Sequence, residues 1–242
     1  MFTLVEKLAE IFANCGARLL DHRRTVRDSD VARRLLGIVL LLQDLCVGGD
    51  RVLVLVWQFS DGAADDAVEA EFHLVLAEQV ETVRKLRDAI DDSRMLLNSV
   101  DAGLYLELAP FLDVKSGLLT RWEQQRRLSQ FSTTTLFFLP PAVVDRVARI
   151  GREGGTLAGQ SSKRADYVLV VAETLRDRRS AEVRDIRQVG PEQAERLRSE
   201  IEGARAELAR ARDLCVRVAS LVEQVIGSEA MASLRRSLMR GA

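Results

Sequence analysis

Apolar positions recur along this chain at steps of three and four residues. From Thr3 to about Arg23, Leu4, Leu8, Ile11, Phe12, Cys15 and Leu19 share one face, the spacing of a helix that buries one side. "RDSD" at Arg27–Asp30 offers N-cap side chains for a second helix. Its passage "LLGIVLLLQDLC" (Leu35–Cys46) is the most hydrophobic in the sequence. "VLVLVWQF", from Val52, either extends that helix past Gly48 and Gly49 or forms a strand. Its β-branched residues favour a strand, but no partner strand with turn chemistry adjoins, and helix is the expectation.

"SDGAADD", from Ser60, reads as a turn followed by acidic residues suited to the positive end of a third helix. That helix runs from about Ala64 to Val100 or beyond, long enough to fold back along the second as a hairpin. Pro110 marks a boundary, residues 116–130 form a shorter helix, and "FSTTTLFFLPP" reads as an extended connector. A short helix covers Ala142–Arg152, and "GREGGTLAGQSSKR" reads as a loop or domain boundary. Another helix spans about Ala165–Arg187. After a break at Gly190 and Pro191, a long helix continues to Ile226, and a basic helix, "ASLRRSLMR", closes the chain. The expected fold is all-α: a helical bundle with long antiparallel helices and a C-terminal long helix of coiled-coil-like heptad pattern. Residues 1–135 are read as an N-terminal bundle, 136–164 as a connector, and 165–242 as a helical hairpin free to pack with the first.

The hydrophobic passage does not read as a membrane span. A helix needs about 20 apolar residues to cross the hydrocarbon core. Here Gln43 and Asp44 interrupt after Leu42, and a span fused with the next apolar run places Asp44, Asp50 and Arg51 near the bilayer centre, at about 2.5–3.5 kcal/mol each. The passage is expected inside a bundle. "MFTLVEKLAEIF" lacks a basic leader and carries Glu6 and Glu10, so it reads as a helix and not a signal peptide.

Composition adds three points. At 47% hydrophobic and 29% charged over 242 residues, the chain lies in the globular range. Its net charge of −1 hides an asymmetry: residues 1–113 hold 12 Lys+Arg against 20 Asp+Glu, and residues 114–242 hold 23 against 16. The halves therefore carry −8 and +7 and are suited to face each other, or else the second half meets an anionic surface. Cys15, Cys46 and Cys215 are odd in number and set among apolar residues, as buried thiols in a reducing, cytoplasmic compartment would be. Lys is rare beside Arg, which fits a GC-rich bacterial genome.

The last long helix carries the most regular pattern: Ala194, Leu197, Ile201, Ala204, Leu208, Ala211, Cys215, Val218, Val222 and Val225. With Ile201 and Leu208 at a, Glu200 and Glu207 fall at g and Arg205 and Arg212 at e. A parallel dimer pairs each Glu with the Arg five positions on. The same spacing equally serves a helix packed inside its own chain.

Candidate chemistry is sparse, and no cofactor or metal is expected. Glu69 and His73 are one turn apart, but a di-iron bundle needs Glu-x-x-His from two helices. "RLLDH" (Arg18–His22) resembles the Arg/His motif of helical-bundle ribonucleases, one residue short and without the polar residue after Arg. Glu78 and Glu81 are similar to the E-x-x-E pair of all-α nucleotide pyrophosphatases, yet Asp88, Asp91 and Asp92 follow on the same helix. "GGTLAGQSS" (Gly154–Ser162) resembles a phosphate loop, with Gln160 in place of the lysine. Basic stretches lack the interleaved aromatics of nucleic-acid binders. In the terminal helix, Leu234 and Leu238 oppose Arg235, Arg236 and Arg240 in the manner of a membrane-surface helix. The leading expectation is a non-catalytic interaction or scaffold protein, with a protein partner or a second copy docked on the seam. The alternative is a membrane-associating bundle using the basic terminal helix or a releasable apolar helix.

Overall fold

The computed structural model describes residues 2–21, 27–63, 65–100, 103–112, 117–120, 123, 141–153, 169–170, 173 and 190–240. Its elements are α1 (Phe2–Asp21), α2 (Arg27–Ser60), α3 (Asp66–Asp92), α4 (Arg94–Val100), α5 (Leu104–Leu112), α6 (Pro141–Glu153), α7 (Pro191–Ile226) and α8 (Ser228–Arg240). No strand occurs among the described residues. The expected all-α fold with one long C-terminal helix is what forms. The expected helix at 116–130, the 131–141 connector, the 151–164 loop and the 165–187 helix lie wholly or mostly outside the described residues.

α2 is a single helix of 34 residues that runs through Gly48 and Gly49 and includes the whole of "VLVLVWQF". Tertiary packing overrides β-propensity here: Val52, Leu53, Val56 and Phe59 are buried, and no strand edge occurs among the described residues to pair them. The third expected helix is instead two. α3 stops at Asp92, and Ser93 caps it with its backbone N–H on Asp91 and Ile90 carbonyls. The Ser93 hydroxyl also donates to the Ala89 carbonyl at 2.6 Å, competing with the helical ladder at that point. At the other end Asp65 accepts from the Val68 N–H at 2.9 Å. Pro110 is not a boundary, for it lies inside α5 two residues before its end. Burial of Leu108, Phe111 and Leu112 outweighs the lost hydrogen bond there.

Three long helices set the frame. α3 runs antiparallel to α2, as Arg51 meeting Glu78 and Phe59 meeting Phe72 define. α7 lies parallel to α1 and antiparallel to α2. Glu6 meets Arg210, Asp50 meets Arg212 and Asp61 meets Arg198, while a β-carbon on Gly16 would touch Leu221. α5 and α6 pack together and α6 reaches α1; α8 turns back on the end of α7 at Gly227, whose φ of +86° favours glycine. Buried residues from Phe2 to Met231 form one hydrophobic cluster, so α7 shares its core with the N-terminal helices. The oppositely charged halves meet in the three ion pairs between α7 and α1 or α2.

Candidate interaction surface

Leu197, Ile201 and Leu208 are at most 2% exposed, and with Ala204, Ala211, Cys215, Val218 and Val222 they fill the trough between α1 and α2. The seam thus already has an occupant in its own chain. The approach to α2 is close where Gly49 faces the seam: a β-carbon on Gly49 would stand 3.0 Å from both δ-carbons of Leu208. The flanking charges are likewise engaged. Arg212 donates to Asp50 at 3.0 Å and to the Leu208 carbonyl at 3.3 Å. Arg205 and Arg198 each stand 5.6 Å from the Trp57 ring centre, a distance for cation–π attraction. Glu200 lies 3.7 Å from Arg196, and Glu207 sits half-buried beside Arg210.

On α8, Met231 is buried, Leu234 packs against the core and Arg236 is exposed. The side chains of Arg235, Leu238 and Arg240 lie outside the described residues. Leu35, Leu36, Ile38, Val39 and Leu42 of the apolar passage are fully buried. No helix of the described residues is long and apolar enough to cross a membrane.

The candidate chemical groups do not converge. His73 Nε2 is 3.7 Å from Glu69 Oε1, and no group of three potential metal ligands occurs among the described residues. Glu78 pairs with Arg51 at 3.0 Å and Glu81 with Arg84 at 2.7 Å. The Arg84 hydrogen bond holds the Glu81 carboxyl below the usual carboxylate range. Asp88, Asp91 and Asp92 continue along α3. His22 and residues 154–162 lie outside the described residues, as does the side chain of Asp21. The three cysteines are free and buried, and burial pushes each thiol up to about 12.

The surface that the sequence reading missed is on α2. Arg33, Leu40, Val47 and Val54 recur every seven residues on its outer face, and Val47 and Val54 are 59% and 51% exposed. Beyond Lys85 the ends of α3 and α4 leave a cleft against α2 with a volume of about 850 Å³. Gly37, Leu40, Leu41, Ala89 and Leu96 make its apolar walls. Asp30, Arg33 and Arg34 stand at one end, with no ion-pair partner among the described residues, and Asp44 lines the wall farther along. Asp44 keeps solvent on its outer side, yet desolvation by the wall raises its carboxyl pKa, partly offset by Lys85. The clue was the seven-residue repeat, hidden because α2 is apolar on most other faces as well.

No protein-family model matches the chain, and no curated protein or solved structure shows significant similarity to it.

Proposed function

We propose that this chain is a non-catalytic helical interaction protein, a scaffold that works in the cytoplasm and presents the cleft between α2 and the α3–α4 junction to a protein partner. The observation that carries the reading is that cleft: apolar walls of ligand-site size with charges at the mouth that have no ion-pair partner among the described residues. Supporting it, Glu78 and Glu81, the carboxylates of the pyrophosphatase-like reading, are held by Arg51 and Arg84. Self-association through Ile201 and Leu208 remains compatible only if α7 is exchanged between copies, because α1 and α2 already fill that seam.

The test is photo-crosslinking in cells with a benzophenone amino acid at Leu40, and at Val216 on the far side of α7 as control. A discrete protein adduct from position 40 and none from 216 is expected. Equal labelling at both, or none at 40, overturns the reading. The membrane alternative rests on the basic composition of α8. Flotation with anionic vesicles, with and without residues 228–242, separates the two, and no retained protein is expected because Met231 and Leu234 are already packed inward.

A further inference from the structure

The charges around the cleft narrow what it receives. Arg33 and Arg34 stand at one end, and Asp44 follows three turns along the same helix, about 16 Å away at 1.5 Å per residue. A fatty acid offers one anion for the arginines, but its alkyl chain would then cover Asp44 and strip water from a carboxylate that Lys85 offsets only in part, adding no cation of its own. A wholly apolar surface would leave both ends unmatched, and a basic segment would be repelled by the arginines. Asp30, one turn before the arginines, offsets one of their two charges and leaves that end net positive. The occupant that answers this end, the walls and Asp44 is a peptide with an acidic side chain at one end, an apolar face, and a basic side chain about three turns on. Helical form follows from the walls, since Arg33, Gly37, Leu40, Leu41 and Asp44 follow one face of α2 over about three turns, a straight edge that a second helix laid alongside can match.

We propose that the cleft receives an amphipathic helix of a partner protein, with an acidic residue set against Arg33 and Arg34 and a basic residue set against Asp44. This rests on the interaction reading above and specifies its partner. A second copy is disfavoured as the source. α8 has the right order of charges, Glu229 before Arg236 and Arg240, but Met231 and Leu234 of its apolar face are committed to their own chain.

The experiment uses the full chain and three fluorescein-labelled 18-residue helical peptides that share one leucine face. One carries Glu at its first end and Lys at its last, one Glu at both, and one Lys at both; binding is read by anisotropy at low salt. The two-signed peptide is expected to bind at least tenfold more tightly than either other. Asp44→Asn should erase its advantage over the all-Glu peptide, and Arg33→Glu with Arg34→Glu should weaken it tenfold or more. Leu40→Glu should abolish binding, and should it fail to fold by circular dichroism, the three charge positions, all exposed, carry the test. Equal affinity for the three peptides overturns the proposal. So does displacement of the peptide by dodecanoate with no loss in Asp44→Asn, which would make the occupant a lipid. A dimer by light scattering that is lost both in Leu40→Glu and on removing residues 228–242 overturns it in favour of a second copy. A protein adduct at Leu40 in cells combined with indifferent peptides would sink this inference and leave the interaction reading standing.

Discussion

The same substitution, glycine to alanine, is expected to have opposite signs at two places in this fold. A β-carbon at Gly49 would stand 2.6 Å from Phe2 Cε1 and 3.0 Å from both δ-carbons of Leu208, whereas carbon atoms pack best at about 3.5–4.0 Å. Phe2 can swing away only partly, because the Leu208 methyls close the other side. Overpacking of this kind costs about 1–3 kcal/mol, and the better helix propensity of alanine returns about 0.8–1.0 kcal/mol. The net for Gly49→Ala is a loss of about 1 kcal/mol, and for the bulkier Gly49→Val about 2–3 kcal/mol. At Gly203 on the exposed face of α7, a β-carbon meets nothing within 4 Å, so Gly203→Ala gains about 0.5–1 kcal/mol from propensity alone. Urea unfolding followed by circular dichroism reads both. With a slope of about 3 kcal/mol per molar, the two alanine variants should separate by more than half a molar in midpoint. Adding Phe2→Leu to Gly49→Ala should recover part of the loss, since residues in contact are not additive. A Gly49→Ala protein as stable as Gly203→Ala, with no coupling to Phe2, would refute the close approach of α1, α2 and α7 at that point.

Other outcomes follow from buried groups and caps. Gln79 is 2% exposed, and neither of its amide atoms has a hydrogen-bond partner among the described residues. Gln79→Leu should therefore stabilise by about 1–3 kcal/mol in the same assay, and destabilisation would mean the amide is satisfied. Asp65→Ala removes the cap of α3 and should cost about 1 kcal/mol, with protection of the Val68 amide lost first in hydrogen exchange. The thiols of Cys15, Cys46 and Cys215 titrate near 12 in the folded chain against an ordinary 9.0. Above pH 9 the unfolded state sheds protons that the folded state keeps, so unfolding free energy should fall, by up to about 1.4 kcal/mol per pH unit for each thiol. Replacing all three by alanine should flatten that slope, and a native chain that reacts quickly with a disulfide reagent at pH 8 contradicts their burial.

The long helices were legible because their apolar periodicity is strong, and Gly190–Pro191 announced the start of α7. Two details escaped for physical reasons. The stop at Ser93 depends on a hydroxyl that bonds backward to Ala89, a choice serine leaves open in any helix. Proline in a sequence reads as a helix boundary because it lacks the N–H of the ladder, but the burial of its neighbours holds α5 together across Pro110. The heptad of α7 was readable as a seam, yet periodicity does not say whether the facing helix belongs to the same chain. That was decided by α1 and α2, whose own apolar faces needed cover. The cleft was the least legible feature, since it arises where α2 and the α3–α4 junction separate, and separation is a property of pairs of helices that no single pattern records.

Glu6 and Arg210 are bound to each other although 204 positions apart, and this has a consequence at the ribosome. α1 and α2 emerge early, but the helix that covers their shared trough is not complete until Ile226. At about 5–20 residues per second, the trough waits on the order of ten to thirty seconds for its cover. During that interval the nascent chain displays Leu35–Leu42 and Phe12 to whatever is nearby, a demand on chaperones that a protein with only local contacts does not make. A message truncated before α7 should therefore yield not a smaller folded protein but an aggregating one, and the last quarter of the chain acts as the closing step of its folding.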